Sequence, residues 1–298
     1  MEKNSEQNKK NWHDKHYKTL LLIPLALIIF SFVYMGIFYS QHNDFMLKDI
    51  SLTGGTSVTI NEDLNVEDLR NFLQNKIEDL SIREISDLTT GKKLAVIIET
   101  KTDKEITKNI LEEYLNYELT EENSSIEFTG SSLSSSFYKQ LLIAILISFV
   151  FMSIVVFILF RTAVPSGAVI ISAFADILMT LVIVNILGIK MSGAGIIGLL
   201  MLIGYSVDTD ILLTNRLLRR HEGTLNERIS GAFKTGITMT MTSLVAVTVA
   251  FFIVRPFSSI LSQIFIILII GLALDVLNTW ITNVSILKWY VERRKWRN

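Results

Sequence analysis

The chain has 298 residues, of which 50% are hydrophobic, only three prolines and a formal net charge of −1. This composition is too apolar for an ordinary soluble two-domain protein and indicates a polytopic membrane protein. Cysteine is absent, which excludes disulfides and thiolate metal sites. The sequence also lacks a basic patch with interleaved aromatic residues, so we expect no nucleic-acid partner.

Six apolar runs are long enough to cross a bilayer as helices. The first, residues 20–39, follows a polar tail at 1–19 that contains five lysines. It is longer than a signal-peptide core, and no small-residue cleavage site follows it, so we predict a retained span. The remaining runs predict a five-helix bundle over 139–287, before a second cytoplasmic tail at 288–298. These five spans are predicted near residues 139–160, 163–187, 192–215, 233–254 and 260–287.

A polar insert of domain size, residues 40–138, separates the first two runs. Its apolar spacing predicts the order β-α-β-β-α-β, which is the ferredoxin-like split βαβ arrangement. Gly54 and Gly55 precede the first predicted strand, and no Lys-Ser/Thr follows them in P-loop register. We interpret this pair as a tight backbone turn. The serine-rich stretch Ser131–Ser136 predicts a flexible connector to the bundle.

The distribution of lysine and arginine predicts the orientation, because cytoplasmic loops carry an excess of both. Sixteen of these residues lie on the side that holds the two tails, Arg161 and the loop region 216–234. Only Lys190 and Arg255 lie in the short loops of the other side. We therefore predict a multi-pass protein of the cell membrane with both termini in the cytoplasm and residues 40–138 outside.

Two carboxylates lie within the fourth apolar run, in the segment Gly204-Tyr205-Ser206-Val207-Asp208-Thr209-Asp210. A charged side chain at the centre of a span costs roughly 2.5–3.5 kcal/mol on insertion scales, so such residues usually line a polar path. Helical residues are rotated by roughly 100° each, so Asp208 and Asp210 point to nearly opposite sides. We expect no single dyad, and at least one contact to a neighbouring span. Ion pairs with the arginines within 216–220 remain an alternative.

Polar stripes that include an aspartate also occur in the third and sixth runs. They can hold helices together or form a path for ions. Because no lysine or arginine lies deep in a predicted span, these acids lack a cationic partner and can exchange a proton. We predict ion coupling or proton relay at Asp208 first, then Asp176, and then Asp210 and Asp275. The stripes are Ser172, Asp176 and Thr180 in the third run, Thr235, Thr238 and Thr242 in the fifth, and Gly271, Asp275, Asn278, Thr279 and Thr282 in the sixth.

Several of these segments together resemble the SecF family of protein-export membrane proteins, in the RND superfamily. They are Thr53-Gly54-Gly55-Thr56 at the start of the insert, Ala175-Asp176-Ile177, and Ile203 with the fourth-run segment that follows it. Bacterial members typically have Gly-Tyr-Ser-Ile-Asn-Asp-Thr in that segment. In this chain Thr209 stands at the position of that Asp, and Asp208 and Asp210 flank it. This pattern is similar to that of archaeal members.

The resemblance implies six transmembrane helices with an external α+β domain. It also implies a complex with SecD beside the Sec translocon, in contact with a translocating unfolded polypeptide and with membrane lipid. The proton motive force would drive this activity, without a cofactor, a metal or an enzymatic reaction. Thr209 then joins the candidate relay residues, and the structural motif residues are Gly54, Gly55, Gly204, Tyr205 and Ser206.

Three other functions are compatible with parts of the sequence. A purely structural scaffold of the translocon predicts that neutralising the aspartates leaves export intact. A self-contained RND-like small-molecule transporter is disfavoured by the single set of six spans and the small external domain. An intramembrane aspartyl protease is disfavoured because the Gly-x-Gly-Asp signature is absent.

Overall fold

The first transmembrane helix continues past its predicted end. In the computed structural model, which describes residues 21–87, 90–219, 223–256 and 258–295, helix α1 covers Leu22–His42. It ends where Asn43 adopts a left-handed conformation with φ of 53°, which asparagine tolerates at a helix C-terminus. The tail predicted for residues 1–19 lies outside the described residues.

A small α+β domain follows α1. Its strands form one antiparallel sheet in the order β2-β3-β1-β4, in which Val58 of β1 lies between Ile98 of β3 and Ile126 of β4. This topology confirms the predicted ferredoxin-like β-α-β-β-α-β arrangement. The elements are α2 (Ile50–Thr53), β1 (Gly55–Ile60), α3 (Val66–Leu73), β2 (Ser81–Ser86), β3 (Lys93–Thr100), α4 (Lys104–Leu115) and β4 (Ser124–Thr129).

The core of this domain lies between one face of the sheet and the two longer helices. Alternate side chains of each strand point to the same face. The side chains of Asn65 and Asp103 cap α3 and α4 by accepting bonds from backbone N–H groups two residues later. The apolar face that results is fully buried. It contains Val58, Ile60, Leu69, Leu73, Val96, Ile98 and Leu111.

The Gly54–Gly55 pair permits two close backbone approaches. Both residues have positive φ, 86° and 145°. A Cβ atom on Gly55 would lie 2.3 Å from the carbonyl oxygen of Thr100, and one on Gly54 would lie 2.6 Å from the Cα of Ser131. These contacts support the interpretation as a backbone turn, because any side chain here would collide with main-chain atoms.

The bundle contains five further spans. The predicted flexible connector at Ser131–Ser136 is wrong, because the second span already begins at Ser131, where the N–H of Ser134 donates to the Gly130 carbonyl at 3.1 Å. The helices are α5 (Ser131–Phe160), α6 (Ala163–Ile186), α7 (Gly193–Arg219), α8 (Leu225–Val254), α9 (Ser259–Leu277), a π-helical turn (Asn278–Asn283) and α10 (Val284–Lys295).

All six spans are long and apolar enough to cross a membrane, with the last one formed jointly by α9, the π-helical turn and α10. The predicted polytopic fold with an α+β domain is therefore confirmed. Within the apolar windows, 56% of α6 and of α7 is buried, against 6% of α5 and 17% of α8. Helices α6 and α7 thus form the centre of the bundle, where polar side chains are shielded from lipid.

Backbone contacts attach the α+β domain to two turns of the bundle. Met191, just before α7, donates to the carbonyl of Leu47 at 2.6 Å and accepts from the N–H of Asp49 at 3.0 Å. At a second turn, the N–H of Ser86 donates to the carbonyl of Pro256 at 2.8 Å. Met191 and Pro256 lie between spans, so the domain is bonded directly to the turns that connect the spans.

Candidate functional site

Three aspartates from three different spans lie in the centre of the bundle. Asp176 belongs to α6, Asp210 to α7 and Asp275 to α9, and each is completely buried. Helical spacing places them inward, since the buried residues of α6 and α7 recur every three or four positions along one face. The three carboxyl groups and their hydrogen-bond donors are called the carboxylate cluster below.

Asp176 has a hydrogen bond to each of its carboxylate oxygens. The Ser206 hydroxyl of α7 donates to Oδ2 at 2.6 Å, and the Asn278 amide of the last span donates to Oδ1 at 2.6 Å. One carboxylate therefore joins three helices. Thr180 does not contribute, because its hydroxyl donates to the backbone carbonyl of Asp176 at 2.6 Å.

Asp210 and Asp275 share a donor. The Thr279 hydroxyl lies 2.8 Å from Oδ1 of Asp210 and 3.1 Å from Oδ1 of Asp275, and the Asn283 amide donates to the same Asp210 oxygen at 2.6 Å. A hydroxyl has a single proton, so Thr279 can form a full bond to only one of the two acids at a time. The Oδ2 atoms of both acids have no hydrogen-bond partner among the described residues.

The donors to the carboxylate cluster are all neutral hydroxyl and amide groups. No ion pair in the described ranges includes any of the three acids. An ionised carboxylate in a low-dielectric interior needs hydrogen bonds or opposite charge to be tolerated, and here it has only hydrogen bonds. Burial without a cationic partner favours the protonated form of such a carboxyl group over its charged form. Over the same ranges, no three His, Cys, Asp or Glu side chains are placed to bind a metal ion.

Asp208 lies outside the carboxylate cluster. It is on the exposed side of α7, as are Gly204 and Tyr205, whereas Ser206 and Asp210 are buried. The expectation that the two motif acids point to different sides, and that one contacts a neighbouring span, is confirmed by the bonds of Asp210 to the last span. The relay role predicted for Asp208 stays a prediction, and the structure places this residue on the outer surface of the chain.

Surface ion pairs do not account for Asp210. Arg216 donates to the Gly231 carbonyl and, at 2.8 Å, to the Thr235 hydroxyl. Arg219 donates to the carbonyl of Leu159 at 2.7 Å. These guanidinium groups thus join α7 to its neighbours near the end of the bundle. Asp210 is buried and bonded to the last span, so a surface ion pair with either arginine is wrong for it; Arg220 lies outside the described residues.

The threonines of the motif and of α8 lie apart from the acids. Thr209 is buried, with its hydroxyl 3.5 Å from the Thr240 hydroxyl of α8. Thr238 and Thr242 are exposed and donate to the carbonyls four residues earlier in their own helix, which is the usual local arrangement. The predicted polar stripe of the fifth span therefore does not reach the carboxylate cluster.

Asn283 was not expected from the sequence. In an α-helix it would lie roughly 140° around the axis from Asn278, away from the predicted stripe. The π-helical turn, in which bonds run from i to i+5, brings both amides to the same side. The only available signal in the sequence is the spacing of five between the two asparagines.

Comparison with known proteins identifies relatives along almost the whole chain. Residues 108–293 match the family described as protein export membrane protein SecD/SecF, C-terminal. The protein-export membrane protein SecF of Methanocaldococcus jannaschii is 39% identical, over 93% of this chain and 96% of its own length. SecF of Methanothermobacter thermautotrophicus is 37% identical, over 94% of both chains.

Solved structures show the same fold at lower sequence identity. The chain is similar to SecDF from Thermus thermophilus, described as a translocon-associated membrane protein, with a TM-score of 0.71 and 17% identity. A SecDF structure in a super-membrane-facing form gives a TM-score of 0.61. The match covers 95% of this chain but only 39% of the Thermus chain. With its archaeal relatives and this fold, the chain belongs to the SecF family of protein-export membrane proteins.

Proposed function

We propose that the protein is the SecF subunit of a SecD–SecF complex, in which protonation changes in the carboxylate cluster move the α+β domain and assist protein translocation beside the Sec translocon. The observation that carries the proposal is a set of three fully buried acids, on three spans, held only by neutral donors. Such groups are expensive in a membrane and are typical of ion pathways.

The partnership rests on the relatives. They are named protein-export membrane proteins, and the SecDF neighbour is described as translocon-associated. This chain corresponds to 39% of that SecDF chain, so a second protein, SecD, would supply the remainder. The unfolded polypeptide in transit is the proposed substrate, moved without any enzymatic reaction.

The charge asymmetry supports an orientation for this complex. With sixteen lysines and arginines on one side and two on the other, both termini lie in the cytoplasm and residues 40–138 outside the cell membrane. The many large apolar side chains exposed on α1 and α5, such as Phe32 at 53% and Leu146 at 63%, would face lipid.

The shared donor suggests how a proton changes the packing. When Asp210 is charged, the Thr279 hydroxyl and the Asn283 amide both donate to it. When Asp210 is protonated, Thr279 is released to Asp275, and the tie between α7 and the last span weakens. One charge that crosses the membrane is worth about 2.3 kcal/mol per 100 mV, which is enough to bias two arrangements of similar energy.

The connection to the α+β domain runs through the start of α7. The N–H of Gly193 donates to the Ser51 hydroxyl at 3.2 Å, and the neighbouring Met191 pairs with Leu47. A displacement of α7 relative to α6 therefore acts directly on the first residues of the domain.

The test is secretion kinetics in cells whose only copy carries Asp176→Asn, with membrane level and SecD co-purification measured in parallel. Asparagine keeps the size of the side chain but cannot ionise. We expect normal assembly and slower export. The matched variant Asp208→Asn makes the same change at a carboxylate of the fourth-span motif that lies outside the cluster, and so separates a role of the cluster from a role of Asp208. Unchanged export in both variants would favour the scaffold function instead.

A further inference from the structure

The last span changes its helical register at the carboxylate cluster. Regular α-helix ends at Leu277, a π-helical turn occupies Asn278–Asn283, and α-helix resumes at Val284. A π turn has weaker packing and is rare, and where it occurs inside an α-helix it often accompanies a functional site. Here it coincides with three donors to the acids.

The π register lets the two ends of the turn reach two different acids. The Asn278 amide donates to Asp176 of α6, and the Asn283 amide donates to Asp210 of α7, each at 2.6 Å. In a regular α-helix, residues five apart differ by roughly 140° about the axis, so one of the two amides would leave the cluster. The extra residue in the π-helical turn thus allows both amides to donate to their acids at the same time.

Neighbouring side chains hold the turn in this register. The ring of Trp280 packs edge-on against Phe233 of α8, with centroids 5.0 Å apart. It also lies against Gly236, where a Cβ atom would be only 2.4 Å from the Trp280 Cζ2 atom. Thr282 donates to the Asn278 Oδ1 atom at 3.4 Å, which orients that amide with its N–H group towards Asp176.

We propose that Asn278 and Asn283 are positioning residues, each of which stabilises the charged form of one acid, Asp176 and Asp210 respectively, and that the π-helical turn serves to present both amides at once. An amide N–H can donate to either form of a carboxyl group, but its bond to a carboxylate is the stronger one. The two asparagines therefore set how readily each acid holds a proton. This inference rests on the proposed function, since it assigns roles within the same relay.

Infrared spectroscopy of the SecF–SecD complex in lipid vesicles tests the proposal, because the C=O stretch of a protonated carboxyl group is separate from the bands of a carboxylate. Bands are assigned by their loss in Asp176→Asn and Asp210→Asn. The spectra are recorded against pH for wild type, Asn278→Ala, Asn283→Ala and Thr282→Val. The last is the matched control for Asp210, because Thr282 is buried in the same turn but donates to Asn278 and not to Asp210 or its two donors.

We expect Asn283→Ala to change the ratio of protonated to charged Asp210 at a given pH by about tenfold, in favour of the protonated form, the equivalent of one hydrogen bond to a charged group. Asn278→Ala should act in the same way on Asp176, and Thr282→Val should leave the Asp210 band unchanged. Asn283→Ser, which keeps a donor, should fall between wild type and alanine. It also serves as the second variant if Asn283→Ala fails to co-purify with SecD.

Two failures can be told apart. If the wild-type acids respond to pH but both alanine variants titrate like wild type, the positioning role is overturned and the proposed function stands. If no carboxyl band of wild type responds to pH, and Asp176→Asn exports normally, the proposed function itself fails.

Discussion

The α+β domain and the transmembrane bundle place their charges in opposite ways. The domain core between sheet and helices is apolar, no charged side chain among the described residues of the domain is buried, and its charges form ion pairs at the surface, such as Lys76 with Glu113 and Lys93 with Glu84. The bundle buries three aspartates and exposes isoleucine, leucine and phenylalanine. Apolar side chains that face lipid need no burial, so the interior of the bundle is available for polar groups. The domain lies in water, where burial of an apolar core must stabilise the fold.

The largest expected effect comes from the apolar core of the domain. Leu69→Ala should destabilise the domain by about 2–5 kcal/mol, because it removes buried atoms and leaves a cavity. The matched variant Leu146→Ala, at a position that is 63% exposed on α5, should change stability little. Hydrogen exchange of the β1 and β3 amides in the full-length protein measures the first effect. Equal effects of the two variants would contradict the contrast between the regions.

Within the bundle, the polar interior should matter more for activity than for folding. Ser206→Ala removes one donor from Asp176 and should cost about 1.5–3 kcal/mol where that acid is charged, which would slow export. Ser153→Ala is the control, since its hydroxyl donates only to the Phe149 carbonyl of its own helix. Secretion rates at matched membrane levels provide the comparison, and equal rates for the two variants would argue against a role of the donor.

Close packing around the π-helical turn gives a third prediction. Gly236→Ala should lower stability by about 1–3 kcal/mol, because its Cβ atom overlaps the ring of Trp280 in a packed interior. Gly167→Ala has open space around the same atom and should be neutral or slightly stabilising. Thermal unfolding of both variants in the same detergent is the measurement. A neutral Gly236→Ala would mean that the turn can shift its register without strain.

The smallest effect concerns the contact between the two regions. Burial alone would raise the pKa of Asp79, but hydrogen bonds from Lys190 and Lys101 outweigh it and hold the pKa below its usual 3.8. A lowered pKa means that this contact stabilises the docked domain above about pH 4 and is lost as the pH falls further.

Lys190→Ala should remove one of the two cationic partners of Asp79, at a cost of roughly 0.2–1 kcal/mol, because the pair is partly exposed. Limited proteolysis of the domain at pH 7 and at pH 3 tests both statements. Wild type and Lys190→Ala should differ at pH 7, and the difference should be smaller at pH 3, where protonation of the Asp79 carboxylate competes with the ion pair. A difference that is no smaller at pH 3 would show that the ion pair is not its cause.

The sequence predicted the fold well because both regions follow simple periodicities. Alternating and helical spacings identified the sheet and helices of the domain, and the length of the apolar runs identified six spans. The connector at 131–136 was misassigned because serine composition suggests a linker, although the segment is the first part of α5. Composition does not show that a preceding Gly130 carbonyl accepts the first helical bonds.

The site was only partly predictable, for a geometric reason. Helical rotation separated Asp208 from Asp210 correctly, but periodicity within one helix cannot tell which side faces the bundle. Asp208 was predicted as the first relay candidate because it lies deeper in the span and within the family motif. The structure instead buries Asp210 and leaves Asp208 exposed. Asn283 was missed because the α-helical repeat was assumed throughout, and only the π register brings it to the acids.

The most direct test of the account is the distance between the α+β domain and the opposite end of the bundle under a proton gradient. The chain contains no cysteine, so Glu105→Cys on α4 and Ser230→Cys on α8, both exposed, provide unique sites for spin labels. The labelled protein is reconstituted with SecD in vesicles. We expect an imposed proton gradient to shift the distribution of distances between the two labels when the cluster is intact, and not when Asp176→Asn or Asp210→Asn is added. The same distribution with and without the gradient in wild type, or an equal shift in both variants, would contradict coupling through the carboxylate cluster.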